Sequence, residues 1–259
     1  VESGRLDDQA RTLEGLLHHD TQYPADSRVL EAGCGTGAQT AILARRSPGA
    51  GITAVDIAGA SLAEAGKRLK SLGIEGVHFV QADCAGLPYA DSRFDHVFVC
   101  FMLEHLARPE NVLLELKRVL KPGGSLTVIE GDHGSFYCYP QTPAALKVVR
   151  CLIDLQAAAG GDALIGRRLY PLLTQARFDD VRVSPRVVYA DPGRPEWEQG
   201  FSRQTFIAMV AGVEQDAIAA GMIDAAAWRQ GISDLEATIG RGTFHYTFFK
   251  AVGFQGRRT

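Results

Sequence analysis

No stretch of the 259-residue sequence reaches the roughly 18 consecutive apolar residues of a membrane span, and the first residues carry no signal-peptide pattern. No block of lysine or arginine marks a nucleic-acid footprint; Arg167–Arg168 and Arg257–Arg258 are only pairs. No CxxC occurs among the five cysteines Cys34, Cys84, Cys100, Cys138 and Cys151, and their odd number and wide spacing speak against a disulfide framework or a structural zinc site. These absences point to a cytoplasmic protein with reduced thiols that works neither on nucleic acid nor at a membrane. A net charge of −3 and 46% hydrophobic residues allow one large core.

What is present is an alternation. Leu6, Leu13, Leu16 and Leu17 fall near helical spacing over residues 6–19. After Tyr23-Pro24, the β-favouring run RVLEAG (28–33) precedes the helical AQTAILARRS (38–47). GITAVDI (51–57), VHFVQAD (77–83), DHVFVCFM (95–102) and SLTVIEGD (125–132) read as further strands, with helices over 61–73 and 109–120 between them. Strands alternating with helices imply right-handed crossovers and a parallel α/β sheet. The rhythm then changes. Helices are expected over 142–160 and 166–178, and a strand over 180–190 that Pro185 interrupts. Two helical segments are expected within 201–239, then an aromatic strand over 243–254.

The loop after the first strand, EAGCGTG, packs Gly33, Gly35 and Gly37 into five positions. Such a turn places a ligand at the carboxyl ends of the strands. The spacing is not the G-x-G-x-x-G of dinucleotide binders. Glu31 precedes the loop, Asp56 ends the second strand and Asp83 follows the third. Asp56 suits the two hydroxyls of a ribose or the cap of the following helix. Asp83 suits an adenine amino group or a simple strand end. A rim of three carboxylates repels a pyrophosphate and suits a cation.

The segments VLEAGCGTG, AVDI, QADCAGLPYADSRFDHVFVCFMLEHL and LKRVLKPGGSLTVIE resemble the class I S-adenosylmethionine-dependent methyltransferases, in particular the small-molecule branch of ubiquinone/menaquinone-type enzymes. The resemblance covers about residues 26–132. It implies a Rossmann-like seven-stranded, mostly parallel sheet of order 3-2-1-4-5-7-6, with strand 7 antiparallel and helical cap insertions. It also implies S-adenosylmethionine as cofactor. Glu31 and the loop Gly33, Cys34, Gly35 and Gly37 would hold the methionine end, with Gln39 beside the carboxylate. Asp56 would hold the ribose and Ile57 would lie against the adenine. Asp83 and Cys84 would meet the adenine edge, Cys100 would line the floor, and His105 would lie beside the cofactor. The expected organisation is an N-terminal helical lid over 1–25, then a methyltransferase domain over 26–259. Within that domain, helical substrate-cap segments are expected at about 133–165 and 191–240.

The expected activity is methyl transfer to a small organic acceptor by in-line displacement. The alternative is a regulatory S-adenosylmethionine-binding protein, or one that catalyses a non-methylating reaction. Whether N, O, C or S takes the methyl stays open, as does a homo-oligomer. His133 follows the fifth strand between Gly131 and Gly134, and its near-neutral pKa suits a general base or a loop histidine bonded to backbone. Asp132 is the residue to orient it. His18, His19 and Tyr23 are candidates for a lid over the substrate. His245 and Tyr246 point to opposite strand faces, so at most one faces the pocket. Phe136, Tyr137 and Tyr139, with Trp197, Phe201 and Phe206, can build an aromatic wall. Asp132 and His133 alone do not make a metal site, and no metal is expected.

Overall fold

The computed structural model describes residues 2–256, with side chains from Gln9 onward. Leu6 of the expected apolar stripe and the pair Arg257–Arg258 lie outside the described side chains. The order is α1 (Glu2–His18), β1 (Arg28–Ala32), α2 (Ala38–Arg46), β2 (Gly51–Asp56), α3 (Gly59–Ser71), β3 (His78–Gln81), β4 (Phe94–Cys100) and α4 (Pro109–Val119). Next come β5 (Leu120–Tyr139), α5 (Pro143–Ala158), α6 (Leu169–Gln175) and β6 (Asp179–Ala190). A helical run follows: α7 (Pro195–Trp197), a π-helix (Glu198–Ile207), α8 (Ala208–Ala211), α9 (Glu214–Ala219) and α10 (Ala225–Glu236), before β7 (Thr243–Phe254). One seven-stranded sheet has the order β3-β2-β1-β4-β5-β7-β6. β7 runs antiparallel to both β5 and β6, and the other pairs are parallel.

The central strands are apolar on both sides, as a covered parallel sheet requires. Val29, Phe98, Cys100 and Ile129 face one core, shared with Leu13 and Leu17 of α1 and Leu43 of α2. Leu30, Val97, Val99 and Val128 face the other, filled by Leu113 and Leu116 of α4 and Leu169 and Leu172 of α6. Pro109 opens α4, where its missing N–H costs nothing. Alternate residues of β7, namely Phe244, Tyr246 and Phe248, join the first core and meet Phe201 and Phe206 of the π-helix.

Two expectations need correction. The cap segment anticipated from residue 133 starts as strand, because β5 continues to Tyr139 and pairs Tyr137 with His245 and Tyr139 with Thr243. A break in register between Asp132 and Tyr137 releases the residues between them from the ladder. Pro185 does not interrupt β6, which runs unbroken from Asp179 to Ala190. β6 is the edge of the sheet, where a residue without an N–H is tolerated.

The segment after α1 is clamped to the sheet by ions. Lys250 of β7 is buried, and its Nζ donates to Asp20 Oδ1 and to Thr21 Oγ1, both at 2.6 Å. Arg186 of β6 donates to the other oxygen of Asp20 at 2.5 Å. Burial alone would raise the Asp20 carboxyl, but the hydrogen bonds from Lys250 and Arg186 prevail and hold it at about 2. The stabilisation is therefore present above the unfolded pKa near 4 and is lost as pH falls from there through about 2. Asp20→Asn should cost about 1–2 kcal/mol near pH 7, a modest value because the aspartate is half-exposed, and much less at pH 2.5. Urea unfolding at the two pH values checks this; equal losses at both would contradict the assignment.

Candidate active site

The carboxyl ends of β1, β2 and β4 bring the expected cofactor residues to one edge. Gly33, Gly35 and Gly37 all take positive φ (74°, 52° and 81°), which only glycine adopts freely. A Cβ on Gly37 would lie 2.8 Å from the Cβ of Ala65, so helix α3 also requires the glycine. Most of the loop's amides are used internally. Gly33 N and Cys34 N donate to Val55 O at 2.8 and 2.9 Å, and Gly35 N donates to Asp56 Oδ2 at 2.8 Å. A phosphate cradle needs such N–H groups free, so the loop favours close approach over anion binding.

Asp56 is half-buried and accepts a second N–H, from Ala58, on Oδ1 at 2.9 Å. The next residue, Ile57, is 67% exposed, an unusual position for a large aliphatic side chain beside a polar crevice. Asp83 accepts the N–H of Ala85 on one oxygen and is otherwise exposed. Cys34, Cys84 and Cys100 are buried, and burial raises their thiol pKa values, so they are inert as nucleophiles. His105 stands exposed at the rim, 3.7 Å from Glu104. Gln39 Oε1 accepts from His18 Nε2 at 2.8 Å, and the buried His18 links α1 to α2.

Glu31 is the unusual member of this set. It is 2% exposed, and its Oε2 has no hydrogen-bond partner. Burial pushes its carboxyl up to about 8. An orphaned buried carboxylate oxygen at a strand end is a vacancy in hydrogen bonding that an ammonium group fills.

The remaining predicted residues divide. His133 is buried on the β5 extension. Its Nδ1 lies 2.6 Å from Tyr246 Oη and its Nε2 lies 3.9 Å from Glu104 Oε2. Burial lowers its pKa, so it is neutral near pH 7. Asp132 does not orient it. Both Asp132 oxygens accept from Arg167, at 2.8 Å each, on the opposite side of the strand. His19 is exposed and faces Arg186, away from the crevice. Tyr23 is packed on the sheet with its ring stacked 4.9 Å from His96, near the amino end of β4. Phe136 stacks on Phe206 at 4.8 Å within the aromatic core. Tyr137 and His245 stack on each other at 4.3 Å on the other face of the sheet, outside that core. Of the β7 pair, Tyr246 is the one turned inward.

Sequence reading missed Glu104 and Tyr246 as partners of His133, and Glu130 beneath them. Glu130 is fully buried, and its Oε1 accepts the N–H groups of Met102 and Leu103 at 3.1 and 2.7 Å. Glycine supplied the one available signal. A Cβ on Gly131 would lie 2.3 Å from Tyr246 Oη, so the bare backbone makes room for that hydroxyl.

The strand order and the glycine-lined crevice define a Rossmann-like enzyme that binds a nucleoside at its carboxyl edge. A methyltransferase-domain family model matches residues 30–128. A demethylmenaquinone methyltransferase of Thermus thermophilus is 41% identical over 52% of this chain and 74% of its own length. The ubiquinone/menaquinone biosynthesis C-methyltransferase UbiE of Erwinia tasmaniensis is 39% identical over 42% of this chain, which spans 44% of that relative. Phosphoethanolamine N-methyltransferase 2 of Haemonchus contortus, solved with S-adenosylmethionine, shares the fold at a TM-score of 0.60 and 15% identity, over 99% of this chain and 58% of that one. The chain belongs to the class I S-adenosylmethionine-dependent methyltransferases, and S-adenosylmethionine is its cofactor. The orphaned Glu31 oxygen, the exposed Ile57 and the internally satisfied loop amides fit a ligand with an ammonium, an adenine face and no phosphate.

An ammonium against Glu31 stabilises its ionised form, so binding of the cofactor near pH 7 should release about one proton. Calorimetry in buffers of different ionisation enthalpy reads this as a buffer-dependent binding enthalpy that disappears in Glu31→Gln. A buffer-independent enthalpy in the unaltered protein would remove Glu31 from the site.

Proposed function

We propose that the enzyme transfers the methyl group to a small, largely apolar organic acceptor held under a helical cap. The observation that carries this reading is the aromatic core that extends from the carboxyl ends of β4 and β5. Phe101 lies 5.5 Å from Phe248, Tyr246 lies 4.8 Å from Phe248, and Phe201 and Phe206 close over them from the π-helix. The menaquinone precursor named in the Thermus thermophilus relative supports an apolar acceptor. α1 and the helices over 195–236 form the cap, with α1 as the N-terminal lid. α1 packs against the π-helix, where a Cβ on Gly200 would lie 2.5 Å from Thr12 Oγ1.

When bound, S-adenosylmethionine supplies a methyl group already activated on a sulfonium. The chain's own residues then have to orient and dehydrate. Glu31 takes the ammonium, and the Gly33–Gly37 loop with Cys34 admits the methionine end, flanked by Gln39. Asp56 accepts from the ribose hydroxyls while it holds Gly35 N in place. Ile57 covers the adenine, Asp83 and the backbone of Cys84 meet its edge, and Cys100 lines the floor through its backbone. His105 closes the rim. Alignment of this kind is worth effective molarities of roughly 10⁵–10⁸ M, more than the roughly 10²–10⁴-fold of a general base.

Purified protein incubated with methyl-labelled S-adenosylmethionine and a panel of apolar hydroxyl, ring-carbon and amine compounds should label a product and release S-adenosylhomocysteine in equal amount. Tight cofactor binding with no transfer to any member would favour a binding-only protein. Asp56→Ala should weaken cofactor affinity about 10–100-fold, because a charge-assisted hydrogen bond is worth about 1.5–3 kcal/mol. Unchanged affinity by calorimetry would contradict the placement of the ribose.

A further inference from the structure

Three buried side chains from separate parts of the chain meet above the end of β5: Tyr246, His133 and Glu104. Tyr246 is 1% exposed, so its hydroxyl proton needs an acceptor. The backbone N–H of Asp132 donates toward its oxygen, and His133 Nδ1 lies 2.6 Å away. The phenol therefore gives its proton to Nδ1. A neutral imidazole whose Nδ1 accepts must carry its hydrogen on Nε2. That N–H faces Glu104 Oε2 across 3.9 Å, too far for a hydrogen bond between them. A third atom placed off the line can lie within about 2.8–3.0 Å of both.

The other groups around this gap are committed elsewhere. Asp132 is held by Arg167, and Glu130 caps Met102 and Leu103. His105 stands at the surface on the far oxygen of Glu104, and the Phe206 ring packs against His133. Burial, with Glu104 close by, raises the Glu130 carboxyl. Glu104 is itself braced, with Gln156 Nε2 donating to its Oε2 at 3.2 Å and to its backbone oxygen at 3.1 Å.

We propose that Glu104, rather than His133, takes the proton of the methyl acceptor, and that this acceptor is a weakly acidic hydroxyl, a phenol or an enol, seated between Glu104 Oε2 and His133 Nε2. The inference rests on the methyl-transfer reading above. A hydroxyl oxygen gives its one proton to Oε2 while it accepts the Nε2–H on a lone pair. As the proton passes to the carboxylate, a lone pair of that oxygen forms the new bond to the methyl carbon. The electrons of the broken sulfur–methyl bond stay on sulfur, and the balance leaves a neutral ether, a neutral thioether and a protonated Glu104. His133 stabilises the negative charge developing on the oxygen, and Tyr246 is the positioning residue that fixes the imidazole's tautomer. An amine would fare worse, because a buried carboxylate holds it as the unreactive ammonium.

Two measurements test this. In protein labelled with ¹⁵N-histidine, long-range proton–nitrogen correlation should show His133 with a bare Nδ1 and a protonated Nε2 across pH 6–8. The resonance is assigned by its loss in His133→Gln. Tyr246→Phe should release the fixed tautomer into a mixture. An Nδ1–H tautomer or an imidazolium in that range would overturn the assignment. With labelled S-adenosylmethionine and matched apolar phenols and amines as probes, the unaltered enzyme should methylate phenols in preference to amines. Glu104→Gln should lower that rate about 10²–10⁴-fold with cofactor affinity unchanged, and Glu104→Asp should retain part of it. Methylation of amines but not phenols, or a Glu104→Gln rate within threefold of the original, would overturn the proposal. Loss of cofactor binding in the unaltered protein would instead strike the methyl-transfer reading.

Discussion

A carboxylate with no neutralising partner among the described residues, buried at the end of the first strand, is the constraint around which the crevice is arranged. Glu31 cannot stay ionised where it sits without a cation, and no side chain among the described residues supplies one. The fold therefore carries an unfavourable group that becomes favourable only with a ligand in place. The surrounding features serve the same end. The glycines let backbone approach closely, most of the loop amides are satisfied without help, and Asp56 ties the loop to the second strand. What remains for the ligand to satisfy is charge, an apolar ring face and a pair of hydroxyls.

The half of the chain that makes this crevice was legible because its signals are local. Alternating runs, a glycine triplet and carboxylates at consecutive strand ends all lie within about a hundred residues, and neighbouring strands read them out in order. The sheet order of the last strands came from resemblance alone, since nothing local says that β7 enters between β5 and β6. The length of β5 was hidden for a related reason. Residues 137–139 are held by pairing with β7, a partner more than a hundred residues away. Glu104, His133 and Tyr246 are likewise brought together only by tertiary structure. Tyr23 and His19 were misplaced because a helix near the chain start says nothing about which end of the sheet the following turn will meet.

The two carboxylates Glu31 and Glu104 share a setting but not a role. One lies on β1 with an unsatisfied oxygen, the other on the turn after β4 facing a neutral imidazole. Cys100 lies between the elements that carry them, and both, together with Glu130, raise its thiol pKa after burial itself.

The edge strand β6 has a further effect on how the molecule behaves among its copies. Its twelve residues would otherwise offer a row of unpaired amides to any passing chain. Pro185 removes one of those donors at the middle of the strand, and the exposed Arg182 places charge beside it. A sheet built this way resists stacking edge to edge into fibres, so the aromatic residues of its last two strands can be concentrated in one place without making the protein prone to polymerise.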